Sequence, residues 1–268
     1  MKIETKQFGG FKNFHDMLKR FKPFIYPDDS RFNLNGILFE FHAEFTRLVA
    51  TDGHKLIIEN VDMLNDTVGK VIISKIGIEY FINLETDYTI EIKEKSIVID
   101  DSSYKFIIDA TFPDYEKVIP QGEAIMSFKT TKKEFAGIIK SGEANLLDRY
   151  KKLDAYKSLQ EEFREKGKFE NDALLKKHTY KNLATCNFFF KEDTEPYLHC
   201  VSIDGDLRSL KTGIKEKAFD FNAKHIKDAV AASNIENIDF CIVEKGKRDV
   251  VCVMKGNKQT IVLMPLFF

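Results

Sequence analysis

The feature that most constrains the fold of this chain is a pattern of short elements that recurs along its length. In each cycle a short alternating stretch predicts a strand, apolar residues at helical spacing predict a helix, and about three further alternating stretches predict strands. Four such cycles follow one another in two pairs. The helices are predicted at residues 11–24, 75–84, 132–140 and 223–232.

This order of elements predicts an α+β fold, in which antiparallel sheets cover one side of each pair of cycles and two helices cover the other. One domain is predicted at residues 1–120 and a second at residues 121–268, with the proline-flanked stretch 112–120 leading from one to the other. Strands are predicted at residues 3–8, 33–41, 46–51, 55–60, 71–73, 88–92, 96–100, 104–110, 124–129, 183–190, 218–221, 238–244, 249–255 and 260–264.

The charge of the chain limits the ways in which it can bind nucleic acid. Its 41 basic and 42 acidic residues nearly cancel, and the formal net charge is -1. This balance argues against a protein that is held to nucleic acid mainly by excess positive charge. It leaves open a protein that concentrates its lysines on one surface.

The cysteines and the termini indicate the cellular environment. No two cysteines have the spacing of a CxxC pair or a zinc finger, and we predict reduced thiols buried in strands. We find no signal-peptide pattern at the start and no apolar run near the roughly 20 residues that span a membrane. We therefore expect a cytoplasmic protein. The four cysteines are Cys186, Cys200, Cys241 and Cys252.

Two short histidine motifs raise the possibility of an enzyme. One is Asp52-Gly53-His54, and the other is His42-Ala43-Glu44, which has the histidine-x-glutamate spacing of zinc deaminases. Those enzymes also need a downstream Pro-Cys-x-x-Cys, which this chain lacks, and it has no Walker loop, nucleophile elbow or HExxH motif. We expect no catalytic residues, no metal site and no cofactor, and hence a protein that is not an enzyme.

Separated motifs carry a resemblance to a known family. The stretch LNGILFE at residues 34–40 is followed by ATDGHKL at residues 50–56, then by FPDYEKVIP at residues 112–120 and VLMPLFF at residues 262–268. In this order and approximate spacing, they resemble the bacterial DNA sliding clamp, the beta subunit of the DNA polymerase III holoenzyme. The resemblance covers nearly the whole chain and begins at the family's second domain. It therefore implies a shortened two-domain form without the family's first domain.

The resemblance implies a processivity factor of DNA replication with the DNA clamp fold. Such a clamp is a ring-shaped homo-oligomer that encircles duplex DNA without reading its sequence and tethers a DNA polymerase. Its clamp loader and polymerase bind through short hydrophobic peptides. If the ring needs six domains, three two-domain chains must close it head to tail. The alternative is a clamp-like platform on DNA for transcription or repair factors, or a decoy that occupies clamp partners.

The resemblance also implies two groups of site residues. In the family, helices line the central hole, and lysines on them can pass between phosphates without fixing a register. The DNA-facing residues would be Lys12, Lys19, Arg20, Lys22, Arg31, Phe32, Lys75, Lys132, Lys133, Lys140, Lys224 and Lys227. The partner-peptide pocket would be formed by Leu34, Thr51, Gly53, His54, Lys55, Leu56, Pro113, Lys117, Val118, Asn222, His225, Val262, Leu263, Met264, Pro265 and Leu266.

Two parts of the chain depart from the family pattern. His225 stands where the family commonly has tyrosine, and Phe267 and Phe268 replace a more polar ending, so the pocket would accept bulkier, aromatic anchors. Residues 147–181 are rich in charge, with apolar residues at helix-like intervals, and Gly167 divides them. We predict a helical hairpin inserted at about residues 147–181. It is either a solvated amphipathic excursion or an element that binds a partner or lines the ring.

Overall fold

The computed structural model describes residues 1–134, 185–190, 197–201, 217–245 and 249–265. Helices α1, α2 and α3 are Phe11–Phe21, Lys75–Ile82 and Ala223–Ala232. Strands β1 to β8 are Lys2–Glu4, Gly36–Phe41, Phe45–Thr51, Lys55–Asp62, Gly69–Ser74, Thr89–Ile92, Ile97–Ile99 and Ser102–Tyr104. Strands β9 to β16 are Ile107–Ile108, Ala124–Thr131, Thr185–Phe190, Tyr197–Val201, Lys217–Asn222, Asn237–Lys245, Asp249–Lys255 and Gln259–Leu263.

Two compact units can be distinguished and are described separately. The first comprises residues 1–129 and 231–264. It contains a four-stranded sheet in the order β1-β6-β7-β8 and nearly all of a nine-stranded sheet in the order β10-β14-β15-β16-β4-β3-β2-β5-β9. The second comprises residues 130–230 and 265–268, with a three-stranded sheet in the order β12-β11-β13.

The nine-stranded sheet takes strands from both sides of the predicted domain division at residue 120, and that division stays a prediction. Its central seam is the antiparallel pairing of β16 with β4, in which Val262 lies opposite Leu56 and Gln259 opposite Glu59. Both strands are mostly buried, so the seam combines main-chain hydrogen bonds with apolar packing. The final strand of the chain thus continues the sheet of the first predicted domain.

The amphipathic pattern of α1 explains its packing. Phe14, Met17, Leu18 and Phe21 recur at intervals of three and four residues, and all four are buried. The helix was predicted within residues 11–24, with Pro23 limiting it, and it ends at Phe21, where the chain tightens into a 3-10 turn at Lys22–Phe24. Pro23 has no N–H to continue the α-helical hydrogen bonds, which accounts for this end.

The other predicted elements are largely confirmed, with three differences. The strand predicted at residues 3–8 is β1 followed by a 3-10 turn at Thr5–Phe8. The strand predicted at residues 104–110 is two strands, β8 and β9, in different sheets, and β12 was not predicted. The start of the helix at Lys132 is confirmed by reciprocal hydrogen bonds between Thr131 and Glu134. The rest of that helix and the predicted hairpin lie outside the described residues.

The strand locations of the cysteines are confirmed, because one lies in each of β11, β12, β14 and β15. Cys252 is fully buried and Cys241 is half-buried. Among the described residues, no helix has the length and apolar character needed to cross a membrane.

Candidate peptide-binding site

The turn between β3 and β4 forms a rigid part of the predicted pocket. The Asp52 carboxylate accepts hydrogen bonds from the backbone N–H groups of His54, at 2.9 Å, and Lys55, at 3.0 Å. The Thr51 hydroxyl donates to the Lys55 carbonyl at 2.8 Å. Gly53 has φ +89°, a conformation that side chains with a Cβ rarely adopt. Asp52 was absent from the predicted pocket, although an aspartate before glycine is a typical turn signal.

The end of β16 lies beside this turn. Leu263 is opposite Lys55 in the β16–β4 pairing, and the Met264 N–H donates to the His54 carbonyl at 2.8 Å. The structure therefore brings two of the predicted pocket segments, residues 54–56 and 262–264, into direct contact. Their positions in the sequence alone could not show this, since they lie at opposite ends of the chain.

The pocket residues of these two strands divide between the faces of the sheet. Leu56 and Val262 belong to an apolar cluster on one face, against which the half-buried Val118 and Met264 pack. Because side chains alternate along a strand, Lys55 and Leu263 lie on the opposite face. Both are buried, so a bound peptide would meet Val118 and Met264 rather than these two side chains.

Lys55 supports the turn from this buried face. Its side chain is 1% exposed, and its ammonium group lies 3.7 Å from the Asp52 carboxylate and 5.4 Å from the centroid of the Phe24 ring. A buried ammonium group needs such partners, because it loses its hydration. Lys55 therefore stabilises the conformation of the turn that contains His54.

The segment Thr111–Pro120, which we name the strap, covers the apolar cluster. Its 3-10 turn, Tyr115–Val118, places Val118 on the cluster, while Lys117 is exposed and forms an ion pair with Asp114 at 3.0 Å. Pro113 is exposed. The strap is therefore the element that positions the predicted pocket residues Pro113, Lys117 and Val118.

A buried polar network anchors the strap. The Tyr115 hydroxyl donates a hydrogen bond to the Glu40 carboxylate and accepts one from Arg47 Nη1 at 3.3 Å, and Lys70 Nζ lies 2.5 Å from Glu40. Burial raises the pKa of Tyr115 to about 12. Burial also disfavours the charged form of Glu40, but its hydrogen bonds with Lys70 and Tyr115 outweigh this, and its pKa is lowered.

The lowered pKa of Glu40 predicts acid sensitivity. Its contribution to stability is fully present above the ordinary pKa of 4.5 and is lost as the pH falls through the lower folded-state value. We expect Glu40→Gln to cost about 2 kcal/mol at pH 7, because two hydrogen bonds to a charged group are weakened. The measurement is urea unfolding between pH 7 and pH 3. The difference in the free energy of unfolding between the wild type and Glu40→Gln should shrink below about pH 4.5. The exposed Glu116→Gln should change the free energy of unfolding little at any pH.

The remaining pocket residues occupy other parts of the chain. Leu34 is buried at the end of the 3-10 turn Asp29–Leu34. In the second unit, Asn222 accepts the Lys224 N–H at 2.9 Å and caps α3, and His225 is half-buried in the first turn of that helix. Pro265 is half-buried, and Leu266 lies outside the described residues.

The predicted DNA-facing residues of α1 and α2 differ in their surroundings. Lys12, Lys19 and Lys22 are exposed, and Lys19 and Lys22 form exposed ion pairs with Asp16 and Glu79. Arg20 instead donates to the Glu59 carboxylate at 2.8 Å, with its side chain 25% exposed. Lys75 is half-buried, and its ammonium group donates to the Pro27 carbonyl. Of these residues, Arg20 is thus the least available to a phosphate.

The other basic residues lie in the second unit. Lys132 is half-buried and Lys133 is exposed near the helix start at residue 132, and Lys140 lies outside the described residues. On α3, Lys224 is exposed and forms an ion pair with Asp228 at 3.3 Å. Burial lowers the pKa of Lys227. The common DNA-facing surface therefore stays a prediction.

Arg31, one of the predicted DNA-facing residues, lies beside the predicted pocket. The Arg31 guanidinium stacks on the Tyr26 ring at 5.4 Å, and its Nη1 atom lies 3.0 Å from the position that a Cβ on Gly53 would occupy. Phe32 is 56% exposed, a high value for a phenylalanine. Arg31, a predicted DNA-facing residue, therefore adjoins Gly53 of the predicted pocket.

Three antiparallel sheets and a repeated strand–helix–strand pattern define the class of this protein as the DNA clamp fold, and solved structures agree. A DNA polymerase III beta subunit from Thermotoga maritima superimposes with TM-score 0.67 and 16% identity, covering 100% of this chain and 66% of that one. A Helicobacter pylori beta clamp bound to a DNA ligase peptide gives TM-score 0.65 and 17% identity, covering 99% and 65%. At these identities the likeness establishes the fold.

Sequence similarity points to the bacterial form in particular, the beta sliding clamp. The proteins of that name from Vibrio cholerae and Escherichia coli are 31% and 30% identical over 101 residues, which is 35% of this chain and 28% of each relative. The aligned part thus spans under a third of these relatives' length. No protein-family model matches the chain. The predicted resemblance to bacterial sliding clamps and the α+β clamp fold are confirmed.

Proposed function

We propose that this protein is a replication sliding clamp: copies of the chain form a ring around duplex DNA and tether a DNA polymerase. The observation that carries the proposal is the seam between β16 and β4, in which the last described strand of the second predicted domain extends the sheet of the first. A ring requires such edge-to-edge contacts to repeat around an axis.

A second sheet edge supports the repetition of this contact. β8 is the last strand of the sheet β1-β6-β7-β8, as β16 is the last of the corresponding run β10-β14-β15-β16. Within the described residues, β8 pairs with β7 alone, so its other edge can receive a strand. By analogy with β16, this edge would join a neighbouring copy. Three two-domain chains would then supply six domains.

The proposed contact with DNA rests on the exposed lysines of α1 and of the 3-10 turn that follows it. We expect Lys12→Glu/Lys19→Glu/Lys22→Glu to lower retention on DNA at least tenfold, because each reversal replaces an attraction to phosphate by repulsion. The protein is threaded onto linear duplex DNA with biotinylated ends, streptavidin is added to block the ends, and the bound fraction is measured after dilution into moderate salt. The matched control is Lys93→Glu/Lys95→Glu, on the β6–β7 turn.

Opening one DNA end tests whether the protein encircles the duplex. A ring is retained while both ends are blocked and slides off when one is cut away, whereas a groove binder is lost equally in both cases. Mass in solution provides a second test, with three copies of the 31.0 kDa chain expected. A monomer or dimer at tens of micromolar would contradict the six-domain ring.

The proposed contact with partners rests on the half-buried apolar residues beside the β3–β4 turn. We expect Val118→Asp to weaken binding of a synthetic peptide with leucine and phenylalanine anchors at least tenfold, because a carboxylate replaces part of an apolar wall. Fluorescence anisotropy of the labelled peptide measures this. Ile119→Asp is the matched control, because Ile119 packs half-buried on the same cluster but lies outside the predicted pocket. If both variants lose peptide affinity equally, Val118 has no specific role in the predicted pocket.

The tests also separate the proposal from its alternative. Peptide binding without retention on end-blocked DNA would favour a decoy that occupies clamp partners. Retention together with peptide binding would favour the tethering role. Neither role requires catalytic residues, because a clamp acts by topology and docking rather than by bond chemistry.

A further inference from the structure

The four cysteines lie on two pairs of neighbouring strands, but the two pairs differ in register. Cys186 on β11 lies directly opposite Cys200 on β12. Cys241 on β14 lies opposite Val253 rather than Cys252, which is itself opposite Ile242. In each case the two cysteines lie on adjacent antiparallel strands, but only Cys186 and Cys200 are directly opposite each other.

Register decides whether a disulfide can form between neighbouring strands. Directly opposed residues of an antiparallel pair have Cα atoms roughly 4.5–5.5 Å apart. This lies within the range of roughly 4.4–6.8 Å that disulfides span. The backbone of β11 and β12 therefore meets the distance requirement at Cys186 and Cys200 without any movement.

The second pair lacks this geometry. Because successive side chains of a strand point to opposite faces, a displacement of one residue places Cys241 and Cys252 on opposite faces of the sheet. Cys241 packs on the apolar cluster beneath the strap, whereas Cys252 is fully buried outside that cluster. Burial also raises the pKa of both thiols, which keeps them protonated and poorly nucleophilic.

We propose that Cys186 and Cys200 are a redox pair that forms a disulfide between β11 and β12 by exchange with a small-molecule disulfide such as oxidised glutathione. One cysteine thiolate attacks a glutathione sulfur, forming a mixed disulfide and releasing one glutathione thiolate. The second cysteine thiolate attacks the protein-bound sulfur of that intermediate and releases the other glutathione. Two protein thiols are oxidised, one glutathione disulfide is reduced to two thiols, and two electrons are transferred.

The disulfide would connect two neighbouring strands of the three-stranded sheet. It would close a loop over residues 187–199, which restricts the opened chain more than the folded one. We therefore expect the bond to oppose local separation of β11 from β12. Reduction would release this restraint, so the ambient thiol–disulfide ratio would set the local stability of this sheet.

The test uses the full-length protein, incubated with oxidised glutathione and then digested without reduction for mass spectrometry. We expect one cross-linked peptide pair containing Cys186 and Cys200, with a mass lower by two hydrogen atoms than the reduced pair. Cys186→Ser and Cys200→Ser should each accumulate a glutathione adduct on the remaining cysteine of the pair. In Cys241→Ser/Cys252→Ser, the matched control, the cross-link should form as in the wild type.

Amide hydrogen exchange tests the consequence. Exchange in β11 and β12 should slow at least roughly tenfold on oxidation of the wild type, and it should not change in Cys186→Ser/Cys200→Ser. Stable glutathione adducts on both cysteines of the native wild type, unmodified thiols, or a cross-link that includes Cys241 or Cys252 would each overturn the proposal.

Discussion

Replacing Gly36 with alanine is expected to lower the free energy of unfolding strongly, because the added methyl group meets backbone. Gly36 lies in β2 opposite Ser74 of β5. A Cβ there would overlap with the Ile73 carbonyl oxygen and would lie 3.1 Å from Ile72 Cγ2. The first of these contacts is with backbone, so relief requires the two strands to separate where they are hydrogen-bonded. We expect a loss of about 3 kcal/mol and a fall in Tm of roughly 10 °C, measured by urea and thermal unfolding.

Gly69→Ala provides a matched control in the same strand pair. Gly69 of β5 lies opposite Phe41 of β2, and a Cβ there would first meet the Met1 Sδ atom at 3.0 Å. A flexible methionine side chain can move aside, and alanine reduces the conformational freedom of the unfolded chain. The change in stability should therefore stay within about 1 kcal/mol. If both variants lose the same stability, the described β2–β5 register is wrong.

The second large effect is expected at Glu59, which joins the two sides of the β16–β4 seam. Its carboxylate accepts hydrogen bonds from Arg20 Nη2 and from Gln259 Nε2, each at 2.8 Å. Gln259 Nε2 also donates to the Ala232 carbonyl at 3.0 Å, and Gln259 Oε1 accepts the Asn234 N–H at 3.0 Å. The network therefore links α1, β4, β16 and the segment after α3.

Removing the Glu59 carboxylate leaves its partners desolvated. Arg20 Nε is already buried without a hydrogen-bond partner among the described residues, so Glu59→Ala would isolate the guanidinium further. We expect a loss of about 2 kcal/mol by urea unfolding, below the value for a fully buried pair because Arg20 remains 25% exposed. The control is Glu79→Ala, which removes the exposed ion pair with Lys22 and should change stability little. Similar losses in the two variants would contradict a structural role for Glu59.

The accuracy of the predicted elements followed the strength of local signals. The ends of α3 and β15 agree with the predicted bounds, because polar residues flank the apolar part of each element. The stretch at residues 104–110 has apolar residues at every second position, which predicts a single strand, yet the chain changes sheets within it. Stacking of Tyr104 on Phe106 and the close approach of Phe106 to Gly77 fix this crossing. Such tertiary contacts leave no periodic signal in the sequence.

In the candidate site, too, residues within sequence motifs could be predicted, whereas residues whose role depends on tertiary contacts could not. Motif resemblance identified Gly53, His54 and Met264 as residues of one pocket, and the structure brings these residues together. It did not identify Asp52, whose role depends on the geometry of the turn, nor the pairing of Arg20 with Glu59. That pairing depends on how α1 lies against β4, and a lysine-rich helix sequence gives no indication of which basic residue is withdrawn from solvent.

The uninterrupted sheet across β16 and β4 has a mechanical consequence for loading a ring onto DNA. Several main-chain hydrogen bonds and the Glu59 network would have to break together for the chain to flex at this seam. An interface between separate copies has no strap connecting its two sides covalently, so it would open before the β16–β4 seam does. Under the proposed function, the gate through which DNA enters would therefore be an intermolecular joint, while the β16–β4 seam of each subunit stays closed.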